Sequence, residues 1–542
     1  MSDLLAAAGV LAAAGAAAAA ILLPAGRARS ATMVLALALF PALILGDQWH
    51  SHQIADLREH SGRLLALGLG ALAVSAALAA VFRRWPILLP LAIVAALPFR
   101  IPLHAGGDTA NLLVPLYLVI AGGVLATAVG PWWSRRADVR AGGAGLGDHP
   151  EEQPHRTGGG SKPATGPARP AAWLPRALAA VVVLYAVQVL YSADFSKGLQ
   201  DVCFFFVPFS LVYALLRDVE WDRRLLILTL WVVGVEAVAF VLVGSIEYAS
   251  RSLFWNHQVI RSNEFHTYFR VNSIFWDPNV YGRYLALVIV VAMAALLWAR
   301  ERRSLILLTA LVALLWVGLA PTFSQSSFVA LLAGLAVLAA LRWSLRWTLG
   351  AVALGAVAAV LVVTLAGGSS KLSFSRINID TSGRANLVSG GIHLFAQRPV
   401  YGYGSGSFPR AYREHVRTRK VPVSISHTEP VTIAAEQGFV GLAAYAALLV
   451  TALWTMGGGL VRLRPAGPDA ADGGALRAKL SSTPPSPAPP AGGVAARAAV
   501  LAAFTALIVH TMAYAGFFED PIAWVLLAVA ASLAAVPVRA ET

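Results

Sequence analysis

Apolar runs long enough to cross a bilayer recur along this chain from end to end, with charge confined to the intervals between them. Such runs fall near 4–24, 31–46, 62–82, 86–104, 111–131, 173–193, 199–216 and 225–245. A second series follows near 278–298, 304–320, 325–341, 347–366, 428–456, 497–517 and 521–538. A helix of about 20 apolar residues spans about 30 Å of hydrocarbon, so the pattern predicts about 13–15 transmembrane helices. Spanning β-strands would instead alternate over short segments, and that pattern is absent. The fold class read from the pattern is all-α: a polytopic membrane helix bundle with a large extracytoplasmic loop that carries surface helices.

Composition agrees. Of 542 residues 58% are hydrophobic and 13% charged, and the mean hydropathy of +0.67 excludes a soluble chain. Cys203 is the single cysteine, which excludes an internal disulfide and a cysteine-based metal cluster; inside "DVCFFFVPF" it reads as a small apolar filler. The opening "MSDLLAAAGVLAAAGAAAAAILLP" lacks a basic flank and reads as a first helix rather than a cleaved signal peptide. Two connections rich in Gly, Pro, Ala and Ser, 132–172 and 457–496, read as disordered cytoplasmic linkers. They divide the chain into N-terminal helices (1–131), a core (173–456) that includes the outer loop 367–427, and a C-terminal hairpin (497–542).

Short basic loops orient the bundle through the positive-inside rule. Arg27, Arg29, Arg83, Arg84, Arg135, Arg136, Arg140, Arg223, Arg224, Arg300, Arg302, Arg303, Arg342, Arg346, Arg462 and Arg464 fall on one side if the spans alternate, and that side is expected to be cytoplasmic. The opposite side receives 47–61, 246–277, the turn "APTFSQSS" and 367–427. The last of these is itself basic: Lys371, Arg376, Arg384, Arg398, Arg410, Arg413, Arg417, Arg419 and Lys420 outnumber Asp380 and Glu414. Contact with anionic headgroups and a grip on an anionic lipid-linked substrate both account for that excess.

Three outer segments carry the candidate chemistry. In "FRVNSIFWDPNVYGRYLAL", Arg270 lies just outside the membrane and "DPN" starts a helix near 280, with Asn279 as a cap or a substrate ligand. In "DTSGRANLVSGGIHLFAQRPVYGYGSGSF", Arg384 opens a periodic apolar stretch that predicts a helix along the membrane surface. The Gly-rich "YGYGSGSF" could hold an anion on its amides, although it follows no strand and lacks a Walker lysine. In "SISHTEPVTIAAEQGFVGL", Ser426 and Glu429 have capping-box spacing, which sets His427 at the outer mouth of a helix. Glu436 then lies about 13 Å deeper. An acid at that depth normally faces the bundle interior and has a partner.

In order and on one side, the arginine-then-"DPN" helix start, "SGR…RPVYGYGSGSF" and "SHTEPVTIAAEQGFVGL" together resemble the O-antigen ligase and polymerase superfamily, polytopic inner-membrane glycosyltransferases with a large periplasmic loop. The resemblance spans roughly 200–455 and the terminal "GFFEDPIAWVLLAVAASL". One departure is Thr428, where members usually carry Asn after the histidine. The resemblance implies an undecaprenyl diphosphate-linked glycan as donor, a glycan, lipid or protein hydroxyl as acceptor, the bilayer as environment and no nucleic acid. It also implies an extracytoplasmic active site in a bacterial cytoplasmic membrane. Arg270 and Arg384 would meet the diphosphate bidentately. His427 would be the general base or a further diphosphate ligand. Asn279, Arg283, Arg398, Tyr403, Glu436 and Asp520 complete the substrate-contact candidates, with Glu436 and Asp520 orienting His427 or an arginine. Tyr401, Tyr403 and Trp276 are candidates for stacking on sugar rings. No Asp/Glu cluster suits Mg²⁺, so neither metal nor cofactor is expected. A membrane transporter or flippase for a lipid-linked glycan or small anionic solute is the alternative. It would show repeated halves and broken helices meeting at midplane, and the sequence shows no convincing repeat. An assembly scaffold would leave Glu436 unexplained.

Overall fold

The computed structural model describes residues 3–49, 61–105, 108–128, 173–254, 256, 259–260, 263, 268–366, 384–416, 425–458, 460 and 491–535. The two linkers lie largely outside these residues, as do Lys371, Arg376, Asp380, Arg417, Arg419 and Lys420 of the outer loop. Helices dominate. The N-terminal part holds α1 (Asp3–Leu22), α2 (Arg27–Gln48), α3 (Ser61–Arg84), α4 (Leu88–Ala96) and α5 (Val114–Ala128). Next come α6 (Trp173–Val189), α7 (Phe195–Asp201), a π-helical turn Val202–Phe206, α8 (Val207–Leu216) and α9 (Arg223–Ser250). The remainder is α10 (Pro278–Trp298), α11 (Arg302–Leu319), α12 (Gln325–Arg342), α13 (Leu345–Ala366), α14 (Arg384–Gln397), α15 (Phe408–His415), α16 (Glu429–Gly457), α17 (Ala491–Thr511) and α18 (Pro521–Ala535).

Among the described residues ten helices are long and apolar enough to cross a membrane, and α5, α6 and α18 are shorter apolar helices. The run near 86–104 is not one span: α4 stops after nine residues and an antiparallel hairpin follows, β1 (Ile101–Ala105) with β2 (Asp108–Leu112). Pro98, Arg100 and Pro102 explain the stop, because proline removes a helix donor and a charge disfavours deep burial.

Every residue of α8 is buried, packed among α1, α2, α5 and α18, and Trp524, Phe504 and Tyr281 are among the most enclosed side chains of the bundle. Lipid offers helices little hydrophobic drive to associate, so small residues that allow close approach carry the packing. Gly334 of α12 shows the device: a Cβ there would meet the Ala502 carbonyl of α17 at 3.2 Å. By contrast α3 turns Leu65, Leu67, Leu69 and Leu72 outward, as a lipid-facing helix does.

Polar contacts gather at the two ends of the bundle. At one end Arg29 pairs with Asp218 and bonds the Ala214 carbonyl, and Ser532 Oγ donates to Val219 O at 2.5 Å. At the other end the connections before α7, α10, α12, α16 and α18 meet. There Ala193 N donates to Tyr403 O (3.0 Å), Val271 N to Pro321 O (3.1 Å) and Ala515 N to His427 O (3.2 Å).

The long helix α16 is broken. Gly438 has φ 65° and ψ −162°, a conformation open essentially to glycine alone. A break in an apolar bundle frees backbone groups that must find partners. The Gly-rich turn after α14 supplies them: Tyr403 N donates to Ala435 O (3.1 Å), Gly404 N to Glu436 O (2.7 Å), and Phe439 N donates to Pro399 O (2.7 Å). Gln188 of α6 takes Gln437 O at 3.1 Å. Gly402, at φ 65°, lies so close to the Glu436 backbone that a side chain there would collide with it.

Candidate active site

Arg270 and His427 come from two connections and Arg384 from the start of α14, and the three share one electrostatic neighbourhood at this second end. Arg270 is half-buried, and two of its guanidinium nitrogens are committed: Nε to Thr322 O (2.8 Å) and Nη2 to Asn279 Oδ1 (3.1 Å). Those two bonds fix the plane of the fork. Burial works against its charge, Asp277 supports it, and Arg384 opposes it.

Asn279 is not the cap of α10. Asp277 is, accepting from Asn279 N at 2.6 Å. The Asn279 side chain instead holds Arg270 and takes a bond from Ser324 Oγ (2.9 Å). Ser324 continues to Ser327 (2.7 Å), and His510 Nε2 of α17 lies 3.2 Å from Ser326 Oγ and 3.4 Å from Ser327 Oγ. "PTFSQSS", which shows up in the sequence only as a turn, is thus the rear support of Arg270.

Arg384 stands at the start of α14, the helix its sequence predicts, and its Nη1 approaches Ala513 O at 3.5 Å. His427 adopts φ 63°, a left-handed conformation costly for a residue with a Cβ. Two contacts maintain it: its carbonyl accepts from Ala515 N at 3.2 Å, and its ring lies 6.0 Å, tilted, from that of Tyr514. Burial chiefly, and Arg384 next, lower its pKa below the usual 6.5, while Asp277 opposes them. The imidazole is therefore held toward its neutral form, the form that accepts a proton.

The capping box is not formed. Thr428 is the N-cap of α16, and Ser426 Oγ contacts Thr428 O and Thr432 Oγ1. Glu429 turns away and accepts from Gly516 N (2.7 Å) and Phe517 N (3.1 Å), pinning the α17–α18 connection to the mouth of α16. Three residues on, Asp520 pairs with Arg283 at 2.9 Å, both side chains nearly inaccessible, and its other oxygen caps α18 at Ile522 N. Asp520 thus orients an arginine, and that arginine is Arg283.

Glu436, Arg398 and Tyr403 form a separate cluster around the Gly-rich turn. The Glu436 carboxyl group accepts from Gly406 N (3.0 Å) and Phe408 N (2.9 Å), so the chain's own side chain occupies the amides that the sequence offered to an external anion. It orients neither His427 nor an arginine. Arg398 lies 4.4 Å over the Tyr403 ring, which is 4% exposed and bonds Gln397 through its hydroxyl. The expected sugar-stacking face of Tyr403 is covered, whereas Tyr401 is 54% exposed. Sequence reasoning missed Asp277 and Tyr514. Asp277 was hidden in the "DPN" turn signal, and Tyr514 sits in a connection with no motif of its own.

Fold and site define a polytopic helical membrane protein with a cationic, histidine-bearing site at one end of its bundle. Residues 310–446 match the family model described as O-antigen ligase. The matched segment holds Arg384, Arg398, Tyr403, His427 and Glu436 and leaves Arg270, Asn279, Arg283 and Asp520 outside. No curated protein sequence matches the chain.

Proposed function

We propose that this protein transfers a glycan from undecaprenyl diphosphate to an acceptor hydroxyl at the outer face of the cytoplasmic membrane. The observation that carries the reading is the convergence of Arg270, Arg384 and a neutral-leaning His427, two of them within the O-antigen ligase match. His427 takes the proton of the acceptor hydroxyl as that oxygen attacks the anomeric carbon. The bond from that carbon to the diphosphate breaks, and undecaprenyl diphosphate leaves with the electron pair. Arg270 and Arg384 stabilise the charge that develops on it, the largest contribution such a site supplies. In this reading the step needs no metal.

The break at Gly438 is the feature a transporter would share. Its freed backbone groups, however, are taken by the protein's own turn rather than left to line a path. That favours the transferase. The test is release of undecaprenyl diphosphate from a purified lipid-linked oligosaccharide with acceptor and EDTA, comparing wild type with Arg270→Ala, Arg384→Ala and His427→Ala. Release that ignores EDTA and falls in all three variants supports the reading. Folded variants that all retain full transfer refute it.

A further inference from the structure

His510, in the last turn of α17, is fully buried and takes no part in the transfer step. Its place is fixed by how α17 runs against α12. A Cβ on Gly334 would meet Ala502 O at 3.2 Å, so the two helices come together there almost backbone to backbone. Ser326 stands eight residues before Gly334, and His510 eight residues after Ala502. The same antiparallel register therefore sets His510 Nε2 3.2 Å from Ser326 Oγ and 3.4 Å from Ser327 Oγ. α10 closes the third side, where a Cβ on Gly282 would meet Ser327 Oγ at 2.7 Å.

The bonds that lead from His510 to Arg270 run in one direction. Arg270 can only donate, so Asn279 must turn its amide oxygen to Nη2 (3.1 Å). That oxygen also takes the Ser324 hydroxyl (2.9 Å), which uses the one proton Ser324 has. Ser327, 2.7 Å from Ser324, therefore donates to it. At the far end His510 Nδ1 is buried with no hydrogen-bond partner among the described residues. An orphaned N–H there would cost more than an orphaned lone pair, so the ring proton sits on Nε2 and is donated to the serines. We propose that His510 is a positioning residue for Arg270. Acting through Ser327, Ser324 and Asn279, it keeps the guanidinium from swinging about its other bond, from Nε to Thr322 O (2.8 Å). The same helix end reaches the other two groups of the site. Ala513 N and Tyr514 N donate to His510 O (3.1 and 3.0 Å), Ala513 O lies 3.5 Å from Arg384 Nη1, and Ala515 N donates to His427 O (3.2 Å). Residues 510–515, outside the matched segment, thus tie the supports of Arg270, Arg384 and His427 together.

The kinetic consequence rests on the transferase reading and the structural one does not, so the full-length protein is read in two ways. The first needs no substrate: the rate at which phenylglyoxal modifies Arg270, followed by mass spectrometry. His510→Leu removes the donor and keeps an apolar filler, and Ser324→Ala cuts the chain in its middle. Both are expected to speed modification about fivefold, as loss of one hydrogen bond frees the fork. His510→Gln returns an amide N–H to the place of Nε2 and should bring the rate back toward that of the wild type. The second readout is glycan transfer. There His510→Leu and Ser324→Ala should lower kcat about tenfold to a hundredfold with KM nearly unchanged, and His510→Gln should recover part of the loss. An Arg270 rate unchanged in both His510→Leu and Ser324→Ala overturns the proposal, and if His510→Leu does not fold, Ser324→Ala alone decides. A His510→Gln that behaves as His510→Leu does also overturns it, because the donor would then be immaterial. If Arg270→Ala retains full transfer, the transferase reading fails instead, and the modification rates still decide whether His510 holds the arginine.

Discussion

Glu436→Ala isolates what the acid buried in a membrane helix does. Its carboxylate holds Gly406 N at 3.0 Å and Phe408 N at 2.9 Å, both in residues closed to solvent. A buried donor left without a partner costs about 1–3 kcal/mol, so the pair represents about 2–6 kcal/mol. The turn keeps its other anchors: Gly404 N to Glu436 O (2.7 Å), Ala193 N to Tyr403 O (3.0 Å) and Ser192 Oγ to Ser405 O (2.8 Å). Because those bonds use backbone or other side chains, the expected outcome is local release of 406–415 rather than unfolding of the bundle. Release there is felt at Arg384. Tyr412 of α15 packs on Gly390, and Phe408 packs beside Gly391, both in the helix that Arg384 begins. Hydrogen–deuterium exchange of the protein in nanodiscs is the assay. Residues 404–415 should lose protection by tenfold or more while α8 and α10 keep theirs, and Glu436→Gln, which retains one acceptor oxygen, should lie between. Unchanged protection of the Gly406 and Phe408 amides in Glu436→Ala would refute the reasoning.

Gly438→Ala should destabilise more severely. Its φ of 65° and ψ of −162° exclude a side chain, and a Cβ would meet the Val400 carbonyl and Tyr401 N; the expected result is loss of monodisperse protein in size-exclusion chromatography. Arg283→Ala strands the Asp520 carboxylate, 4% exposed, and should cost about 3–5 kcal/mol in thermal unfolding. The double variant Arg283→Met with Asp520→Leu should recover much of that loss, because it leaves no unpaired charge. In the transfer reaction the rate should rise with pH and reach its plateau with a midpoint below 6.5, since burial and Arg384 favour the neutral, proton-accepting imidazole. A midpoint above 6.5 would contradict that environment.

Much of this protein is legible in the chain alone. Runs of apolar residues specify membrane helices because hydropathy over a span is a local sum, and among the described residues ten long apolar helices are present where such runs occur. The gathering of Arg270, Arg384 and His427 at one end follows from the alternation of spans and needs no knowledge of how helices pack. Two of the three short motifs that resembled a family, the Arg384 segment and the His427 helix start, fall within the O-antigen ligase match over 310–446; the Arg270 motif lies before it. Partner choice was not legible. Ser426 and Glu429 have capping-box spacing, yet Glu429 serves Gly516 and Phe517, 87 and 88 residues away. Asn279 stands where a cap is expected and supports Arg270 instead. "YGYGSGSF" has the composition of an anion-binding turn, and the group its amides hold proves to be the Glu436 carboxyl of the same chain. In each case the residue type announced a polar group that must be satisfied out of water. Which group satisfies it depended on the break at Gly438 and on which connections the bundle brings together. Those are properties of the packed helices, so the tertiary structure alone decided them.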